Sequence, residues 1–262
     1  MLRLNGVSKT FVTDAERVVA LQAIDLDLAK GDVLTIIGSN GAGKSTLLNL
    51  IAGTFPPTTG TIQLSGEDMT AVAEHKRSRR IGRIVQSPLA GTAPTMSVAE
   101  NLALASKKGR RGLRMALGKR TRKTFTDQLA SLGLGLEQRL DCPVSLLSGG
   151  ERQALTVLMA TLVPPELLLL DEHTAALDPR NASMIVDLTR AFVGNLGLTT
   201  LMVTHNMEQA ICVGNRLVMM HKGEFIHQLA GDEKAETTVS ELVDLFAEHD
   251  VVDDELLLER VA

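Results

Sequence analysis

A glycine-rich segment in the first quarter of the chain has the residue types of a phosphate-binding loop. Gly38–Ser45, read as GSNGAGKS, fits the pattern G-x-x-x-x-G-K-[ST] and lies between a predicted buried strand and a predicted helix. Glycines allow backbone N–H groups to turn towards phosphate oxygens, and the helix N-terminus adds partial positive charge. The pattern predicts that Lys44 reaches the β- and γ-phosphates, that Ser45 places its hydroxyl on Mg²⁺, and that Thr46 lies on the α-phosphate side. The predicted phosphate-binding residues are Ser39, Asn40, Gly41, Ala42, Gly43, Lys44, Ser45 and Thr46.

Two adjacent acids follow a continuous apolar run in the second half of the chain. The run 167–170 consists of four leucines, and Asp171 and Glu172 come directly after it. This order places the acids at the carboxyl end of a central strand, where ligands bind in α/β sheets. Asp171 suits a magnesium role through water, and Glu172 suits the role of polarising the water that attacks the γ-phosphate. Acids after a strand are common, so this prediction depends on the phosphate-binding loop.

A third motif, LSGGERQ at residues 147–153, precedes the acidic strand. By its residues alone it is the start of a capped helix, with Ser148 as the cap and Glu151 completing a capping box. Gly149 and Gly150 expose backbone N–H groups there. The motif therefore predicts either an ordinary helix cap or an anion site whose anion the residues do not identify.

Hydrophobic periodicity predicts the elements that position these motifs. The first third alternates as an antiparallel sheet does, the middle third is helical, and the last third alternates strand and helix. The predicted strands are Leu2–Val7, Val18–Leu28, Leu34–Ile37, Thr61–Leu64, a short strand that ends at Ile84 and Val85, Glu166–Leu170, Thr199–Val203, Leu217–Met220 and Phe225–Leu229. The predicted helices are Lys44–Ala52, Val98–Ala105, Thr121–Leu132, Gly150–Leu162, one that opens at Pro179, one capped by Asn206, and one from Val239 onwards.

Composition limits the class of protein. The chain has 262 residues, 44% of them hydrophobic and 22% charged, which is ordinary for one or two globular domains. A net charge of −4 gives no general affinity for nucleic acid. No apolar run is long enough to span a membrane, and the N-terminus lacks a signal peptide, so we expect a cytosolic chain. Cys142 and Cys212 are expected to be buried thiols.

Taken together, the motifs resemble those of the ATP-binding cassette (ABC) ATPases over nearly the whole chain. The resemblance implies an α/β fold with a P-loop core, a mostly parallel sheet, an antiparallel β-subdomain and a helical subdomain. The antiparallel part would come from residues 1–30 and about 60–70, and the helical part from about 87–163. We expect an ATPase domain at 1–237 and an acidic helical tail at 238–262.

The family motifs imply roles for further residues. Gln86 falls on the glutamine loop, which would contact the metal and report on the γ-phosphate; Asp178 falls on the D-loop, and His205 is the switch histidine. Phe11 matches the aromatic residue that stacks on adenine, where many members carry tyrosine. The resemblance also implies that LSGGERQ contacts the γ-phosphate of ATP on the opposite subunit. The implied catalytic residues are Lys44, Gln86, Glu172 and His205, the implied metal-contacting residues are Ser45, Gln86 and Asp171, and the implied contacts across the dimer are Ser148, Gly149, Gly150 and Asp178.

One residue departs from the family pattern. Many members carry proline after the two acids, and here the residue is His173. Proline would restrict the backbone next to the catalytic acid, whereas histidine does not. The change neither removes a ligand nor adds an obvious one, so we expect hydrolysis to be retained.

The sequences of three segments resemble one group within the family, the ATPase subunits of a bacterial uptake group assigned to aromatic amino acids such as tryptophan and tyrosine. These segments are Gly91–Pro94, Asp171–Asp178 and Thr199–Met207. This resemblance implies ATP and Mg²⁺ as cofactors and an ATP-dependent homodimer. It also implies a membrane permease, an extracytoplasmic solute-binding protein reached through the complex, no nucleic acid partner, and a peripheral position on the cytoplasmic face of the inner membrane.

Three alternatives remain at this point. The chain could serve an ABC exporter or a lipid or lipoprotein extraction system, because the solute does not touch this subunit. It could be a cytosolic ABC protein of DNA repair or translation, although those usually carry two cassettes or a long coiled-coil insertion. A non-hydrolysing binding module would not be expected to keep Lys44, Asp171, Glu172 and His205 together.

Basic residues are concentrated in one stretch. Residues 107–123 contain nine lysines and arginines and no acid. Such a cluster is either a solvated surface or a partner surface. One hypothesis is that it orients the helical subdomain towards anionic lipid headgroups.

Overall fold

The computed structural model describes residues 1–12, 16–87, 89–106 and 117–248. The chain divides into two compact units, the first composed of Met1–Arg77 and Thr199–Ala262 and the second of Ser78–Leu198. The first unit contains β1 (Leu2–Val12), β2 (Arg17–Leu28), β3 (Val33–Ile37), α1 (Lys44–Ala52), β4 (Thr59–Leu64), β5 (Glu67–Asp68) and α2 (Glu74–Arg77). The second unit contains β6 (Ile81–Ile84), α3 (Val98–Ala105), α4 (Lys119–Ala130), α5 (Gly149–Thr161), β7 (Leu167–Asp171) and α6 (Pro179–Leu196). The chain then returns to the first unit with β8 (Thr199–Val203), α7 (Met207–Cys212), β9 (Arg216–His221), β10 (Glu224–Ala230), α8 (Gly231–Glu236) and α9 (Val239–Glu248).

An antiparallel sheet in the first unit has the strand order β2-β1-β4-β5. In β1 the alternate residues Leu2 and Leu4 are buried, and Leu2 pairs with Leu28 of β2 and Leu64 of β4. This alternation buries one face of the strand against the core and leaves the other face polar. The predicted antiparallel part of the fold is therefore confirmed.

The same unit holds a group of parallel strands in which β3 lies between β8 and β9, and β10 adds to β9 in the antiparallel direction. The strand β8 is buried at every residue, as expected for a strand covered on both faces. Ile36 of β3 pairs with Val203 of β8, so the carboxyl ends of these two strands meet. That edge carries the glycine-rich loop after β3 and His205 after β8.

The last described helix closes the core of the first unit. Leu242, Val243 and Phe246 of α9 are buried in a cluster with Ile37 of β3 and Met207 of α7. The predicted helix from Val239 is thus confirmed as far as Glu248. The rest of the predicted acidic tail, 249–262, lies outside the described residues.

The second unit contains the parallel pair β6 and β7, with Ile84 opposite Leu170, and it contains α3 to α6. The predicted apolar face of the helix near 121–132 is confirmed, since Phe125, Leu129 and Leu132 are all buried. Capping boxes begin α3, at Ser97, and α5, at Ser148.

Sequence patterns did not predict the short elements β5, α2 and α8. The expectation for the cysteines was wrong for Cys212, which is exposed, while Cys142 is only partly buried and both are free thiols. Cys212 is the last residue of the short helix α7, where the helix surface faces solvent.

Candidate functional site

The glycine-rich loop turns directly from the end of β3 into α1. Gly43 has a φ of 102° and occupies the N-cap position of α1, where it offers no capping side chain. A Cβ at Gly43 would lie 2.6 Å from the carbonyl oxygen of Ala20, and one at Gly38 would lie 2.2 Å from that of Met220. Both glycines are therefore required by close approach of neighbouring backbone. The result is a helix N-terminus open to an anion.

Lys44 is held in the mouth of this loop. Its side chain is 6% exposed, and its Nζ donates hydrogen bonds to the carbonyl oxygens of Gly38 and, at 2.9 Å, Ser39. The loop thus orients an ammonium group where phosphate oxygens would replace carbonyl oxygens as acceptors. Ser45 is exposed and Thr46 is half-buried, both in the first turn of α1.

The predicted adenine residue, Phe11, lies on β1 of the first unit and is 39% exposed. Its ring meets Phe55 edge to face, with 5.4 Å between centroids and an interplanar angle of 83°. Lys9 Nζ lies 5.2 Å and 4.9 Å from the centroids of Phe11 and Phe55, and donates to the carbonyl of Pro56 at 2.8 Å. Phe11 is thus an exposed aromatic ring held in place by its neighbours, as a stacking platform requires.

His205 is exposed and follows β8. The N–H of Thr204 donates to the carbonyl of Ile36 at 3.1 Å, which extends the pairing of β8 with β3 beyond the strand end. This places His205 at the same edge of the first unit as the glycine-rich loop.

In the second unit, the two predicted acids follow the buried leucines of β7 as expected. Asp171 Oδ2 lies 3.4 Å from Nη2 of Arg83, and both side chains are largely buried. Gln86 Nε2 donates to Glu172 Oε2 at 3.5 Å. Because β6 and β7 run parallel and end together, the residues after them meet at one edge. The structure therefore brings Gln86 and the two acids together.

The backbone at Glu172 is unusual. Its φ is +44°, one of three positive values for non-glycine residues among those described. Left-handed backbone is unfavourable for residues with a Cβ, and it clusters at functional sites.

His173 is 2% exposed, and its Nε2 lies 3.2 Å from Oγ1 of Thr189 on α6. Burial lowers the pKa of His173 to about 4, so its imidazole is neutral at physiological pH. Sequence reasoning identified the substitution at this position and missed the contact with Thr189, which lies 16 residues further along the chain.

The LSGGERQ motif forms the predicted capped helix start. Ser148 N donates to Glu151 Oε2 at 2.8 Å, and Ser148 Oγ accepts from the N–H of Glu151 at 3.3 Å. Arg139 forms an ion pair with Glu151 at 2.8 Å. Burial would raise the pKa of Glu151, but the hydrogen bonds from Ser148 and the charge of Arg139 outweigh it and lower the pKa overall. Ser148 is thereby fixed at the first turn of α5.

Asp178 is the N-cap of α6 and lies near LSGGERQ through Asn181. Asn181 donates to the Asp178 carboxylate from its backbone N–H at 3.1 Å and from Nδ2 at 2.6 Å, and these bonds lower the pKa of Asp178. A Cβ at Gly150 would lie 2.8 Å from Asn181 Oδ1. Asn181 therefore links the predicted D-loop to Gly150 of the LSGGERQ motif. Sequence reasoning missed it, although its position three residues after an N-cap is a detectable signal.

Comparison with known proteins identifies the family. Residues 21–175 match the ABC transporter family. The chain belongs to this family. It is an ATP-binding subunit of an ABC transporter and an ATPase, and the predicted α/β fold of the ABC ATPases is confirmed. None of the helices in the described part of the chain is both long and apolar enough to cross a membrane.

Two sequence relatives and one solved structure illustrate the likeness. The chain is 42% identical to a tyrosine transport ATP-binding protein of Clostridioides difficile, over 94% of this chain and 98% of that protein. It is 34% identical to the lipoprotein-releasing system ATP-binding protein LolD 1 of Caulobacter vibrioides, over 84% and 92%. The ATP-binding cassette MJ0796, in a dimeric post-hydrolysis state bound to ADP and Pi, matches with a TM-score of 0.75 and 28% identity, over 88% of this chain and 98% of that one.

Proposed function

We propose that this ABC ATPase powers the import of a small solute of the amino-acid class through a separate permease. It would act at the cytoplasmic face of the plasma membrane, with an extracytoplasmic solute-binding protein delivering the solute to the complex. The observation that supports import is the 42% identity with the tyrosine transport protein over almost the full length of both chains. The ATPase chemistry follows from the side chains described above.

Nucleotide binding would depend on the first unit. Phosphate oxygens would accept from the backbone N–H groups of residues 39–43 and from Nζ of Lys44, while adenine would stack on Phe11. For Mg²⁺, the hydroxyl of Ser45, the amide oxygen of Gln86 and the carboxylate of Asp171 are the oxygen donors that this ion prefers. Mg²⁺ would neutralise charge that develops on the phosphates.

Hydrolysis would depend on Glu172. Its carboxylate is held by Gln86 at 3.5 Å, and an ionised carboxylate can orient a water molecule and accept its proton. His205, at the edge that carries the phosphate-binding loop, would contact the γ-phosphate. Gln86 would report the presence of that phosphate, because it follows β6 and leads into the helical residues of the second unit.

Replacing the carboxylate tests the catalytic role directly. We expect Glu172→Gln to bind ATP as the wild type does and to lose hydrolysis by a factor of about 10²–10⁴, the usual size of a general-base effect. The matched control is Glu166→Gln, just before the start of β7, where the carboxylate pairs with the side chain of Arg80. Wild-type turnover in Glu172→Gln would refute the assignment.

The working unit would be a head-to-tail dimer with two ATP molecules between the subunits. Each site would combine the loop of one chain with Ser148, Gly149 and Gly150 of the other, and Asp178 would lie at the seam. The capped start of α5 offers backbone N–H groups to an anion. The γ-phosphate bound at Lys44 of a second copy would supply that anion. The dimeric state of the MJ0796 cassette supports a dimer for this chain.

Light scattering tests the dimer. Glu172→Gln with saturating ATP should double in mass, because the nucleotide that holds the seam is not hydrolysed. A variant with Ser148→Arg added should remain monomeric, since a bulky cation would occupy the anion position. A Glu172→Gln protein that stays monomeric with saturating ATP, even beside its permease, would overturn the proposal.

A permease helix would dock around residues 87–100. This segment is shaped by Asn101, whose buried side chain accepts from the N–H of Ala93 at 2.8 Å and donates to the carbonyls of Ala93 and Ser97 at 3.1 Å and 3.0 Å. Leu89 is 49% exposed there. Leu89→Glu should weaken permease binding and leave ATP binding intact. Leu196→Glu, at a similarly exposed leucine on α6, should leave both permease binding and ATP binding unchanged.

The basic stretch would face anionic headgroups beside the permease. Its residues 107–116 lie outside the described residues, and its described part begins α4, where Arg122 pairs with Asp141 at 2.6 Å. Each lysine or arginine near an anionic surface contributes about 1 kcal/mol. Reversing Arg110, Arg111, Arg120 and Arg122 to glutamate should weaken recruitment to anionic, permease-containing vesicles at low salt. Unchanged recruitment would leave only a solvated surface.

The second candidate function is an exporter or lipoprotein extraction ATPase, which the 34% identity with LolD 1 favours. Co-purification of the membrane complex, followed by mass spectrometry of bound molecules, separates the two. An amino acid together with a solute-binding protein would support import. A lipidated protein or a lipid would support extraction.

Along the chain, we assign the ATPase domain to 1–237, its helical subdomain to about 87–163, and the tail to 238–262.

A further inference from the structure

The backbone at Glu172 needs an external restraint. With a φ of +44° it occupies the left-handed region, which is sterically unfavourable for a residue with a side chain. Such a conformation persists only where the surrounding structure holds it. Without restraint, the residue would relax to negative φ and its carboxylate would move away from the position that Gln86 defines.

Restraint before Glu172 comes from the sheet. Leu170 pairs with Ile84 of β6, and Asp171 is the last residue of β7. Immediately after Glu172, the chain enters a turn in which the carbonyl of Glu172 accepts from the N–H of Ala175 at 3.0 Å. This bond lies within the turn and does not attach the turn to a neighbouring helix, which the next residue does.

That next residue is anchored to a long helix. His173 and Thr189 are each 2% exposed, and their side chains meet at 3.2 Å between Nε2 and Oγ1. The other ring nitrogen, Nδ1, has no hydrogen-bond partner among the described residues. Thr189 lies in the middle of α6, an 18-residue helix that packs against α5, so it is a rigid point of attachment.

We propose that His173 is a positioning residue for hydrolysis: its hydrogen bond to Thr189 fixes the chain immediately after Glu172 to α6 and so holds the Glu172 carboxylate where it orients water. In related chains with proline at this place, the ring itself restricts the backbone. Here a side-chain anchor does so instead. The inference rests on the proposed catalytic role of Glu172. Because α6 begins at Asp178, the anchor also joins the catalytic acid to the helix whose N-cap would lie at the dimer seam.

Removal of the Thr189 hydroxyl tests the anchor without changing side-chain shape. Thr189→Val should lower kcat for ATP about tenfold, which corresponds to about 1.4 kcal/mol in the activation barrier. The Kd for ATP should stay within twofold, because Glu172 acts on water. Thr189→Ser, which keeps the hydroxyl, should restore kcat. His173→Leu should match Thr189→Val, and the double variant should be no worse than either single one, since both remove the same bond.

A buried threonine elsewhere in the unit provides the matched control. Thr161 is 3% exposed and its hydroxyl donates to the carbonyl of Val157 at 2.8 Å, within α5. Thr161→Val should lower the urea midpoint as much as Thr189→Val does and leave kcat unchanged. If Thr189→Val also lowers only the midpoint, its role is structural and the proposal is wrong. If Thr189→Val does not fold, the kcat of His173→Leu compared with that of His173→Gln tests the same hydrogen bond through its other partner.

Failure of the proposed function gives a different result. In a Glu172→Gln background, Thr189→Val should cause no further loss of the residual hydrolysis, since the group it positions is gone. Full hydrolysis by Glu172→Gln alone would refute the catalytic role of Glu172. Loss of hydrolysis in Glu172→Gln combined with wild-type kcat in Thr189→Val and His173→Leu would refute the anchor alone.

Discussion

Arg77 provides the sharpest test of what holds α1, the helix after the glycine-rich loop, in place. Its side chain is 1% exposed, and its guanidinium donates to four carbonyls. Nη1 donates to Leu50 at 2.9 Å and Ile51 at 2.8 Å, both in the last turn of α1, while Nε donates to Val72 at 2.7 Å and Nη2 to Thr70 at 3.2 Å. Burial lowers the pKa of Arg77, partly opposed by the nearby charge of Asp68. A cation at a helix C-terminus also complements the helix dipole.

The expected cost of Arg77→Met follows from these contacts. Four hydrogen bonds contribute about 1 kcal/mol each, and the desolvation that the buried guanidinium suffers offsets part of that sum. We therefore expect a loss of about 3 kcal/mol in the free energy of unfolding. The stability of Arg77→Lys should lie between those of the wild type and Arg77→Met. An ammonium group cannot donate to all of the carbonyls that the planar guanidinium group reaches in several directions.

Urea unfolding followed by far-ultraviolet circular dichroism measures this cost, since the chain has no tryptophan or tyrosine for intrinsic fluorescence. Arg79→Met is the control, because Arg79 is exposed two residues away and its loss should change stability by less than about 0.5 kcal/mol. If Arg77→Met loses no more free energy of unfolding than Arg79→Met does, the four hydrogen bonds of Arg77 do not stabilise the fold.

Three further predictions concern nucleotide binding and pH. Lys44→Ala should weaken ATP binding roughly 30- to 160-fold by calorimetry, since a charge-assisted contact with phosphate contributes about 2–3 kcal/mol. The exposed Lys30→Ala is the control, and equal affinities of the two variants would contradict the assignment. Phe11→Ala should weaken the binding of ATP and of ADP alike by roughly tenfold, which is the lower range for base stacking. Phe11→Tyr should bind both nucleotides as the wild type does. A loss of affinity confined to ATP would exclude stacking on adenine. His173 has a folded pKa of about 4, below its unfolded value of about 6.5, so the unfolded chain binds the proton first. Its contribution to stability is present above about pH 6.5 and falls by about 3 kcal/mol as pH drops to about 4; urea unfolding should show this slope in the wild type and not in His173→Gln.

Local spacing in the sequence was enough to predict the elements that carry the candidate phosphate-binding residues. The loop pattern, the apolar run before Asp171 and Glu172, and the capping box at Ser148 are each contained in fewer than ten consecutive residues. Physical rules for strands, turns and helix ends act over that range. The structure confirms the two helix starts and the strand that these segments predict. The parallel arrangement of β6 and β7 then explains why Gln86 meets Glu172.

Tertiary structure decided the contacts between residues distant in sequence. No local pattern places Arg77 under the end of α1, 26 and 27 residues earlier, because an arginine in a short polar segment is ordinarily exposed. The same holds for the His173–Thr189 bond and for Asn181 against Gly150. These contacts arise where packing brings together groups that are far apart along the chain, so no local pattern in the sequence reports them. The sequence by itself therefore determined which chemistry the chain can perform, and packing decided which side chains hold that chemistry in place.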